Sequence, residues 1–185
     1  LSNETTQNLY PSLPNNIFTK LCFGFNRLSI VDLSNNAMQP YYDDKEQILF
    51  MMNGEVYNFN ELRNKYLKNV NLTSKSDSEI AFQLYKIFGD SFVDKLSGMY
   101  PIVIFNYRTL TLSAWRDRFG IKPFYYTVTE EGIYFSSEIK SLFSMQVKKE
   151  INYTGLSYSM YLGTCPSPLT IYKEIYSLQP GHLLN

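Results

Sequence analysis

Apolar residues in the first third of the chain fall into short runs of the kind that form strands. Residues 17–25 and 27–31 are rich in β-branched and aromatic side chains, and residues 48–52 are continuously apolar. Such runs are typical of strands, and a continuous one indicates a strand buried on both faces. The last run ends at Asn53-Gly54, a strong turn signal. Residues 42–45, between the runs, are predicted to be loop.

A helical pattern occupies the next part of the chain. Residues 60–66 read as a short helix, and Ser76 and Glu79 have the spacing of a capping box. Ser76 is then the N-cap, and Gly89-Asp90 ends the helix. The apolar residues that follow the capping box at helical spacing are Ile80, Leu84, Ile87 and Phe88. Their spacing predicts an amphipathic helix whose apolar stripe packs on the core.

Strand patterns then return, followed by two short helices and an irregular, proline-punctuated segment over residues 165–181. The predicted strands are residues 100–107, 110–115, 124–128 and 133–136, and the predicted helices are residues 139–143 and 156–162. Strands and helices do not alternate singly, which excludes a doubly wound parallel sheet. The order predicts an α+β fold in which the four strands run antiparallel through tight turns. Two sheets packed together between helical layers would accommodate the number of strands.

Composition and charge narrow the class of protein further. The 185 residues, predicted to be one domain over 1–185, carry seventeen Lys and Arg against seventeen Asp and Glu. This balanced charge gives no electrostatic footprint for nucleic acid or an anionic membrane, so neither is an expected partner. The apolar runs are too short to span a bilayer. With 44% hydrophobic and only 18% charged residues, the chain is also not disordered.

The scarcity of cysteine and histidine excludes several chemistries. The chain contains only Cys22, Cys165 and His182 as residues of these two types. They cannot supply the four ligands of a Cys/His zinc site, so no metal site is predicted. A catalytic triad would have to use His182. Cys22 lies inside a predicted strand and is expected to be a small buried hydrophobic residue. Two cysteines also fall short of a secreted disulfide framework, which favours an intracellular, cytoplasmic protein.

Four local features could carry chemistry, and each also has a plain structural explanation. Arg27 could clamp a carboxylate with its two-pronged guanidinium, or simply lie on the surface. Asn53-Gly54 could form an oxyanion hole from a side-chain amide and an accessible backbone N–H, or only a hairpin turn. Asp77, in the first turn of the predicted helix, could bind an ammonium group or only favour the helix dipole. The charged turn at residues 116–123 could be a solvated loop with internal salt bridges.

The order of these features along the chain is more informative than any one of them. The motifs, in order, are Arg27-Leu28-Ser29-Ile30-Val31-Asp32, Gln39-Pro40, Asn53-Gly54-Glu55-Val56-Tyr57-Asn58, Ser76-Asp77-Ser78-Glu79, Arg116-Asp117-Arg118-Phe119-Gly120-Ile121-Lys122-Pro123 and Leu178-Gln179-Pro180-Gly181-His182. Together they resemble the N-terminal glutaminase domain of the asparagine synthetases, which are class II glutamine amidotransferases. The resemblance covers residues 21–184 with few gaps.

This resemblance implies a fold, a reaction and a set of residue roles. The fold is a four-layer αββα sandwich of antiparallel sheets, the N-terminal-nucleophile architecture. The family hydrolyses glutamine to glutamate and ammonia, and a synthetase domain uses the ammonia after activating a carboxylate with ATP and Mg. No cofactor is expected in the glutaminase domain itself. The residues carried over by motif are Arg27 for the α-carboxylate of glutamine, Asn53 and Gly54 for the oxyanion hole, Asp77 for the α-ammonium group, and Glu55 and the backbone near Ile30 to complete the pocket.

The chain departs from the family near its beginning. The family's nucleophile is an N-terminal cysteine whose α-amino group can act as its base, whereas position 1 here is Leu1. The family's His-Arg-Gly-Pro-Asp stretch has no counterpart at residues 5–11, and Phe25 or Asn26 replaces the histidine that precedes the Arg27 strand. The chain is therefore predicted to lack the first strand and the nucleophile, and not to hydrolyse glutamine as it stands.

Two explanations of these departures stay open. The chain is the glutaminase domain of an asparagine synthetase-like enzyme without its first strand, or it is a degenerate pseudo-glutaminase that supports a synthetase-type domain without catalysis. Both imply a C-terminal or separate synthetase domain as partner. The resemblance also implies glutamine as ligand and, because relatives are often dimers, a homodimer. The acceptor of the nitrogen is left open.

Overall fold

The computed structural model describes residues 21–27, 32, 34–145 and 147–185, which contain ten strands, four α-helices and three short 3₁₀ helices. The strands are β1 Tyr41–Asp43, β2 Ile48–Met52, β3 Glu55–Val56, β4 Gly98–Met99, β5 Pro101–Asn106, β6 Thr111–Arg116, β7 Tyr125–Thr129, β8 Gly132–Ser136, β9 Tyr176–Ser177 and β10 Leu183–Leu184. The α-helices are α1 Phe59–Tyr66, α2 Asp77–Phe88, α3 Ile139–Leu142 and α4 Tyr153–Leu162, and the 3₁₀ helices are Asn35–Ala37, Gly89–Lys95 and Phe143–Met145. Within these ranges, no helix has the length and apolar character needed to cross a membrane.

Antiparallel sheets organise the described residues. The large sheet has the order β1-β2-β5-β6-β10, and a smaller sheet has the order β8-β7-β9. Strand β2 lies between β1 and β5 in the large sheet, with Phe50 opposite Tyr41 on β1 and opposite Ile104 on β5. Strands β3 and β4 form a separate two-stranded pair.

The two faces of the large sheet bury two different hydrophobic cores. On one face, Phe50 and Ile102 belong to a core shared with α1 and α2. On the other face, Leu49 and Val103 pack with side chains of the smaller sheet. Neighbouring residues of a strand point to opposite faces, so a strand buried on both is continuously apolar. The burial of every residue from Ile48 to Met52 confirms this prediction for β2.

The molecule is therefore layered as helices, large sheet and smaller sheet, and α3 contacts β7 and β8 of the smaller sheet. This confirms the predicted α+β fold with two antiparallel sheets packed together. Among the described residues, neither core includes any residue of α4.

Helix α2 begins as predicted, but its first turn is bonded differently. Ser76 is the N-cap, and its side chain accepts a hydrogen bond from the backbone N–H of Ser78. In a capping box Glu79 would bond back to Ser76. Instead, its buried carboxylate accepts hydrogen bonds from the backbone and hydroxyl groups of Thr73 and Ser74. Because the loop before α2 provides four hydrogen-bond donors to the Glu79 carboxylate, that carboxylate bonds to the loop and not to Ser76.

The apolar stripe of α2 is shorter than its sequence pattern. Ile80 and Leu84 are buried as predicted, but Ile87 is half exposed. The last turn of α2 contacts α1 through Phe88, whose ring meets that of Tyr66 edge to face at 5.1 Å between centroids. This contact leaves Ile87 on the solvent side.

The pairing of the strands differs from the prediction in three places. Strands β6 and β7 lie in different sheets, because residues 117–124 carry the chain from one sheet to the other instead of forming a hairpin. The expected loop at residues 42–45 contains the end of β1, and the expected irregular segment at 165–181 contains β9. Strand β10 follows that segment, where no strand was predicted. These three strands have only two or three residues each, too few for a period of two to be recognised.

Residues 21–25, the described part of the first predicted strand, belong to no strand. Their alternation still decides which side chains point inward: Phe23 is buried with its ring 5.6 Å from that of Phe135, while Cys22 is exposed. A segment can bury one of its faces without being hydrogen-bonded to a neighbouring strand. The alternation along residues 21–25 therefore indicates the inward side chains although no strand forms there. The prediction that Cys22 is buried was wrong because the odd-numbered positions take the inward side. The remaining residues of the two predicted strands, 17–20 and 28–31, lie outside the described residues.

Candidate functional site

The chain crosses from β2 to β3 at Asn53 and Gly54. Met52 is the last residue of β2 and lies opposite Ile102, and Glu55 is the first residue of β3 and lies opposite Met99. Met52 and Glu55 are three residues apart in the chain, and so are their partners Ile102 and Met99. The β2–β5 ladder and the β3–β4 ladder therefore share one register. Asn53 donates its backbone N–H to a carbonyl of the facing strand at 3.0 Å. Asn53-Gly54 is therefore an interruption within a long antiparallel ladder, and the hairpin turn suggested by its sequence does not form.

Position 54 needs glycine because the facing backbone is very close. Gly54 has a φ of +150°, and a Cβ atom built there would overlap the carbonyl oxygen of Met99. Gly98, opposite Val56, approaches the carbonyl of Glu55 in the same way. A glycine has no side chain to shield its backbone N–H, so a ligand can approach it closely. The adjacent Asn53 side chain is exposed and forms no hydrogen bond with the described part of the chain.

Side-chain amides hold both ends of this segment. Gln39 donates to the carbonyl of Met52 at 3.0 Å and accepts from the backbone N–H of Met52 at 2.6 Å. Asn58 donates to the carbonyl of Lys95 and accepts from the backbone N–H of Ser97, both at 2.9 Å. Each amide thus bonds as a strand backbone would, with one donor and one acceptor. Residues 53–57 lie between two polar anchors that are independent of hydrophobic packing.

Asp77 joins the start of α2 to the same segment. Its carboxylate is only 6% exposed and accepts the backbone N–H of Val56 at 2.8 Å. Its other oxygen lies 3.4 Å from the hydroxyl of Ser76. Burial raises the pKa of Asp77 above its ordinary value, although its hydrogen bonds act in the opposite direction. The buried Asp77 carboxylate is thus bonded to β3 at Val56, which is two residues after Gly54 in the chain.

Arg27 is attached to the residues that precede α2 through Asp32. The guanidinium donates to the backbone carbonyl of Ser34 at 2.9 Å and to that of Asp32. The Asp32 carboxylate accepts the backbone N–H groups of Lys75 and Ser34, each at 2.7 Å, and these bonds lower its pKa to about 2. Lys75 is two residues before Asp77. Arg27, Asp32 and Ser34 are therefore linked by hydrogen bonds to the residues just before the helix start that carries Asp77.

The charged turn at residues 116–123 is fixed by two charged side chains, one buried and one partly buried, that are bonded to backbone groups. Asp117 is 1% exposed, and its carboxylate accepts the backbone N–H groups of four residues at 3.0–3.3 Å. Those residues are Tyr100, Phe119, Ile121 and Lys122. Arg116 donates to the carbonyls of Lys122 and Gly120, and burial lowers its pKa. The ion pairs found among the described residues lie elsewhere, so the predicted internal salt bridges do not form there.

This turn is connected to the site through Tyr100. Asp117 accepts the backbone N–H of Tyr100 with its side chain and donates its own backbone N–H to the Tyr100 carbonyl at 2.7 Å. In the shared register, Tyr100 is the residue opposite Gly54. Asp117 therefore fixes the strand that faces the interruption.

The structure brings together most of the residues singled out from the sequence. Asn53, Gly54 and Glu55 are consecutive, Asp77 is bonded to the next residue, and Arg27 is attached beside the start of α2. Ile30 lies outside the described residues. His182 is exposed, and its Nδ1 lies 2.9 Å from the carbonyl of Pro180.

Three anchoring residues received no role from the sequence: Gln39, Asn58 and Asp117. All three lie within recognised motifs, but a motif does not reveal which polar side chains are buried and what they bond. A buried polar side chain must form hydrogen bonds, and this rule would have identified such anchoring residues. It can be applied only when the burial of each side chain is known, which the sequence does not give.

Across the described ranges, no three or more His, Cys, Asp or Glu side chains are placed to hold a metal ion. A cavity of about 150 Å³ lies elsewhere, against the hairpin of β5 and β6. Its lining residues include Tyr85, Asp90 and Asn106, none of which belongs to the group around Asn53.

Comparison with solved structures defines the fold. A glutamine phosphoribosylpyrophosphate amidotransferase from Bacillus subtilis, complexed with ADP and GMP, matches 64% of this chain and 29% of its own with a TM-score of 0.54. The two sequences are 17% identical, so this likeness concerns the fold. It confirms the predicted α+β sandwich of the N-terminal-nucleophile type.

Sequence comparison defines the family. The glutamine amidotransferase domain family matches residues 15–185, and the chain belongs to it. Two glutamine-hydrolysing asparagine synthetases of Bacillus subtilis (strain 168), numbered 1 and 2, are 37% and 43% identical over 160 and 174 residues. These matches cover 86% and 91% of this chain and confirm the resemblance. The chain spans about a quarter of the length of these relatives, 25% and 23% respectively.

Proposed function

We propose that this domain binds glutamine, and that a form of the protein with the family's N-terminal cysteine hydrolyses it to glutamate and ammonia. A synthetase-type domain, where ATP and Mg would act, then uses the ammonia. The observation that carries the proposal is the 2.8 Å bond between the Asp77 carboxylate and the backbone N–H of Val56. This bond holds a buried acid against the segment that contains Asn53 and Gly54. The names and greater lengths of the two Bacillus relatives support the proposal.

Free glutamine carries two opposite charges and one reactive amide, and the site offers a group for each. The Arg27 guanidinium would bind the α-carboxylate as a bidentate donor. Asp77 would bind the α-ammonium group. Glu55 and the backbone near Ile30 would complete the pocket around the side chain. The amide carbonyl would then face Asn53 and Gly54.

In the hydrolytic step, a cysteine thiolate attacks the amide carbon, and the carbonyl oxygen becomes negatively charged. The side-chain amide of Asn53 and the backbone N–H of Gly54 donate to this oxygen. Collapse of the intermediate breaks the carbon–nitrogen bond. The nitrogen takes up the proton that the cysteine's α-amino group had removed from the thiol, and it leaves as ammonia. Water then hydrolyses the thioester to glutamate and restores the thiol. Removing one donor of such a pair costs a factor of about 10² to 10³ in kcat.

Glutamine binding tests the proposal on the chain as it stands. We expect glutamine to raise the Tm, because a ligand that binds only the folded state stabilises it by RT ln(1 + [L]/Kd). At about one hundred times Kd the gain is about 2.7 kcal/mol. Arg27→Ala should abolish the shift, and Arg63→Ala, on the exposed surface of α1, should leave it unchanged.

An unchanged glutamine shift in Arg27→Ala would disprove the role of Arg27 in binding. The absence of any shift in the unaltered chain, with D-glutamine as the reference, would disprove glutamine binding itself. A glutamine shift without ammonia release, in a natural protein that has no N-terminal cysteine, would support the pseudo-glutaminase alternative.

A further inference from the structure

Helix α4 is the most exposed apolar element among the described residues. Its large side chains are mostly in solvent: Tyr153 is 75% exposed, Met160 80%, Tyr161 89% and Leu162 54%. Gly155 is its only buried residue. A helix that is apolar on all sides is normally covered by protein. Helix α4 therefore has the composition of a buried helix and the exposure of a surface one.

The chain around α4 is also uncharged. No Asp, Glu, Lys or Arg occurs between Glu150 and Lys173, the longest such stretch in the sequence. Helices that lie on membranes have a polar face rich in Lys and Arg. The absence of cations from this stretch argues against a lipid surface as the partner. Exposed Tyr and Met without neighbouring charges are instead characteristic of the centre of a protein interface.

Helix α4 is attached to the domain through its first turn. The Asn152 side chain caps the helix by accepting the backbone N–H of Gly155 at 3.2 Å. Gly155 packs so closely on the carbonyl of Thr170 that a Cβ atom would overlap it. The Asn152 backbone N–H donates to the carbonyl of Ile171 at 3.0 Å. These contacts fix the helix while Met160, Tyr161 and Leu162 project from its last turn.

We propose that the exposed surface of α4, defined by Tyr153, Met160, Tyr161 and Leu162, is the docking surface for the synthetase-type domain of the same protein. The inference rests on the proposed function for the identity of that partner. The Bacillus relatives are about four times as long as this chain, so a large part of each is available to cover such a surface. A domain linked to this one is present at high effective concentration, which favours it over a free partner.

The test uses the natural full-length protein and compares two double variants by hydrogen exchange. Met160→Lys with Tyr161→Lys introduces two cations into the proposed docking surface, at a helix C-terminus where Lys is tolerated. Ile87→Lys with Val128→Lys is the matched control, since both residues are at least half exposed and lie outside α4. In the first variant, amides of α4 and of one segment of the synthetase-type domain should exchange about tenfold faster. The control should match the unaltered protein.

Two outcomes would overturn the docking proposal. If the Met160/Tyr161 variant keeps full protection in both places, α4 does not dock on the other domain. If light scattering shows the variant dissociating into monomers while the synthetase-type domain keeps its protection, a second copy covers α4 instead. Neither readout requires glutamine, so the proposed function can fail in the thermal assay while docking stands, or the reverse.

Discussion

Helices α2 and α4 begin alike and are buried very differently. Both are capped by a polar side chain, Ser76 in α2 and Asn152 in α4, that accepts a backbone N–H of the first turn. In α2, seven of twelve residues are buried, and the buried ones include the polar first turn Asp77-Ser78-Glu79. In α4, one of ten is buried although most of its side chains are apolar. Burial here follows from what lies beside the helix more than from the helix's own composition.

The contrast separates two tasks. At the start of α2, buried polar groups are tolerated because each has a partner, and such fully bonded groups fix backbone positions well. On α4, apolar groups remain exposed, which is the usual mark of an interaction surface. The first region is suited to hold a small ligand, and the second to hold another protein surface. Substitutions confined to one region at a time can test this difference.

The largest effect is expected for Glu79→Ala at the start of α2. The Glu79 carboxylate accepts four hydrogen bonds from Thr73 and Ser74, at 2.6–3.0 Å. Its removal leaves the two buried donors of Ser74 without partners and opens the loop before α2, so the free energy of unfolding should fall by about 3 kcal/mol. Urea unfolding measures the change. Glu61→Ala, in the exposed first turn of α1, is the matched control and should change stability by less than about 0.5 kcal/mol.

Gly54→Ala tests the close approach of the two strands at the site. Gly132 has nearly the same backbone conformation, with a φ of +146° against +150°, but a Cβ atom there would meet nothing within 4 Å. Both Ala variants share the backbone strain, and only that at position 54 also collides with Met99. Gly54→Ala should therefore be less stable than Gly132→Ala by about 2 kcal/mol in the same unfolding experiment. Equal losses would mean that the strands separate easily, and that the site is not fixed by this contact.

The strongest sequence predictions concerned elements whose pattern matched their surroundings. The continuous apolar run of β2 indicated a strand buried on both faces, and the N-cap Ser76 marked the start of α2. Both signals are local, because the residues that produce them are neighbours in the chain. The motif order likewise identified the family, since many residues contribute to it. The pairing of β1, β9 and β10 escaped prediction because two or three residues carry no period.

The site was predictable as a set of residues but not as a bonded structure. Asn53, Gly54 and Asp77 came from motifs, whereas the anchoring roles of Gln39 and Asp117 depend on contacts between distant parts of the chain. The exposure of Cys22 and Ile87 was missed for the same reason. A sequence period shows which residues share a face, but only the packed neighbours determine whether that face is covered.

A smaller effect is expected for Gly155→Ala, which breaks the attachment of α4. Alanine favours helix over glycine by about 1 kcal/mol, so intrinsic propensity alone would stabilise α4. The overlap of the new Cβ with the Thr170 carbonyl should reverse this sign. Amides of α4 should exchange about tenfold faster, while those of β2 and β5 stay unchanged. Thr154→Ala, on the exposed side of the same turn, should instead leave α4 equally or better protected.

The smallest effect is expected for Asp77→Asn, and it should depend on pH. Burial raises the pKa of Asp77 in the folded state above its ordinary value of 3.8. The folded state therefore holds the proton more tightly, and the contribution of Asp77 to stability is complete below about pH 3.8 and lost as pH rises through the folded pKa. Asparagine does not titrate, and its oxygen can still accept the Val56 N–H. The stability of the Asn variant relative to the unaltered chain should thus improve between about pH 4 and about pH 7.

Urea unfolding at both pH values measures this trend, with Asp90→Asn at an exposed position as the matched control. A difference between variant and unaltered chain that does not change with pH would contradict the buried, raised-pKa environment of Asp77. If the trend is found, the charged carboxylate is held at neutral pH at a cost in stability. A bound ammonium group would offset that cost, so glutamine should stabilise the unaltered chain more than the Asn variant near neutral pH.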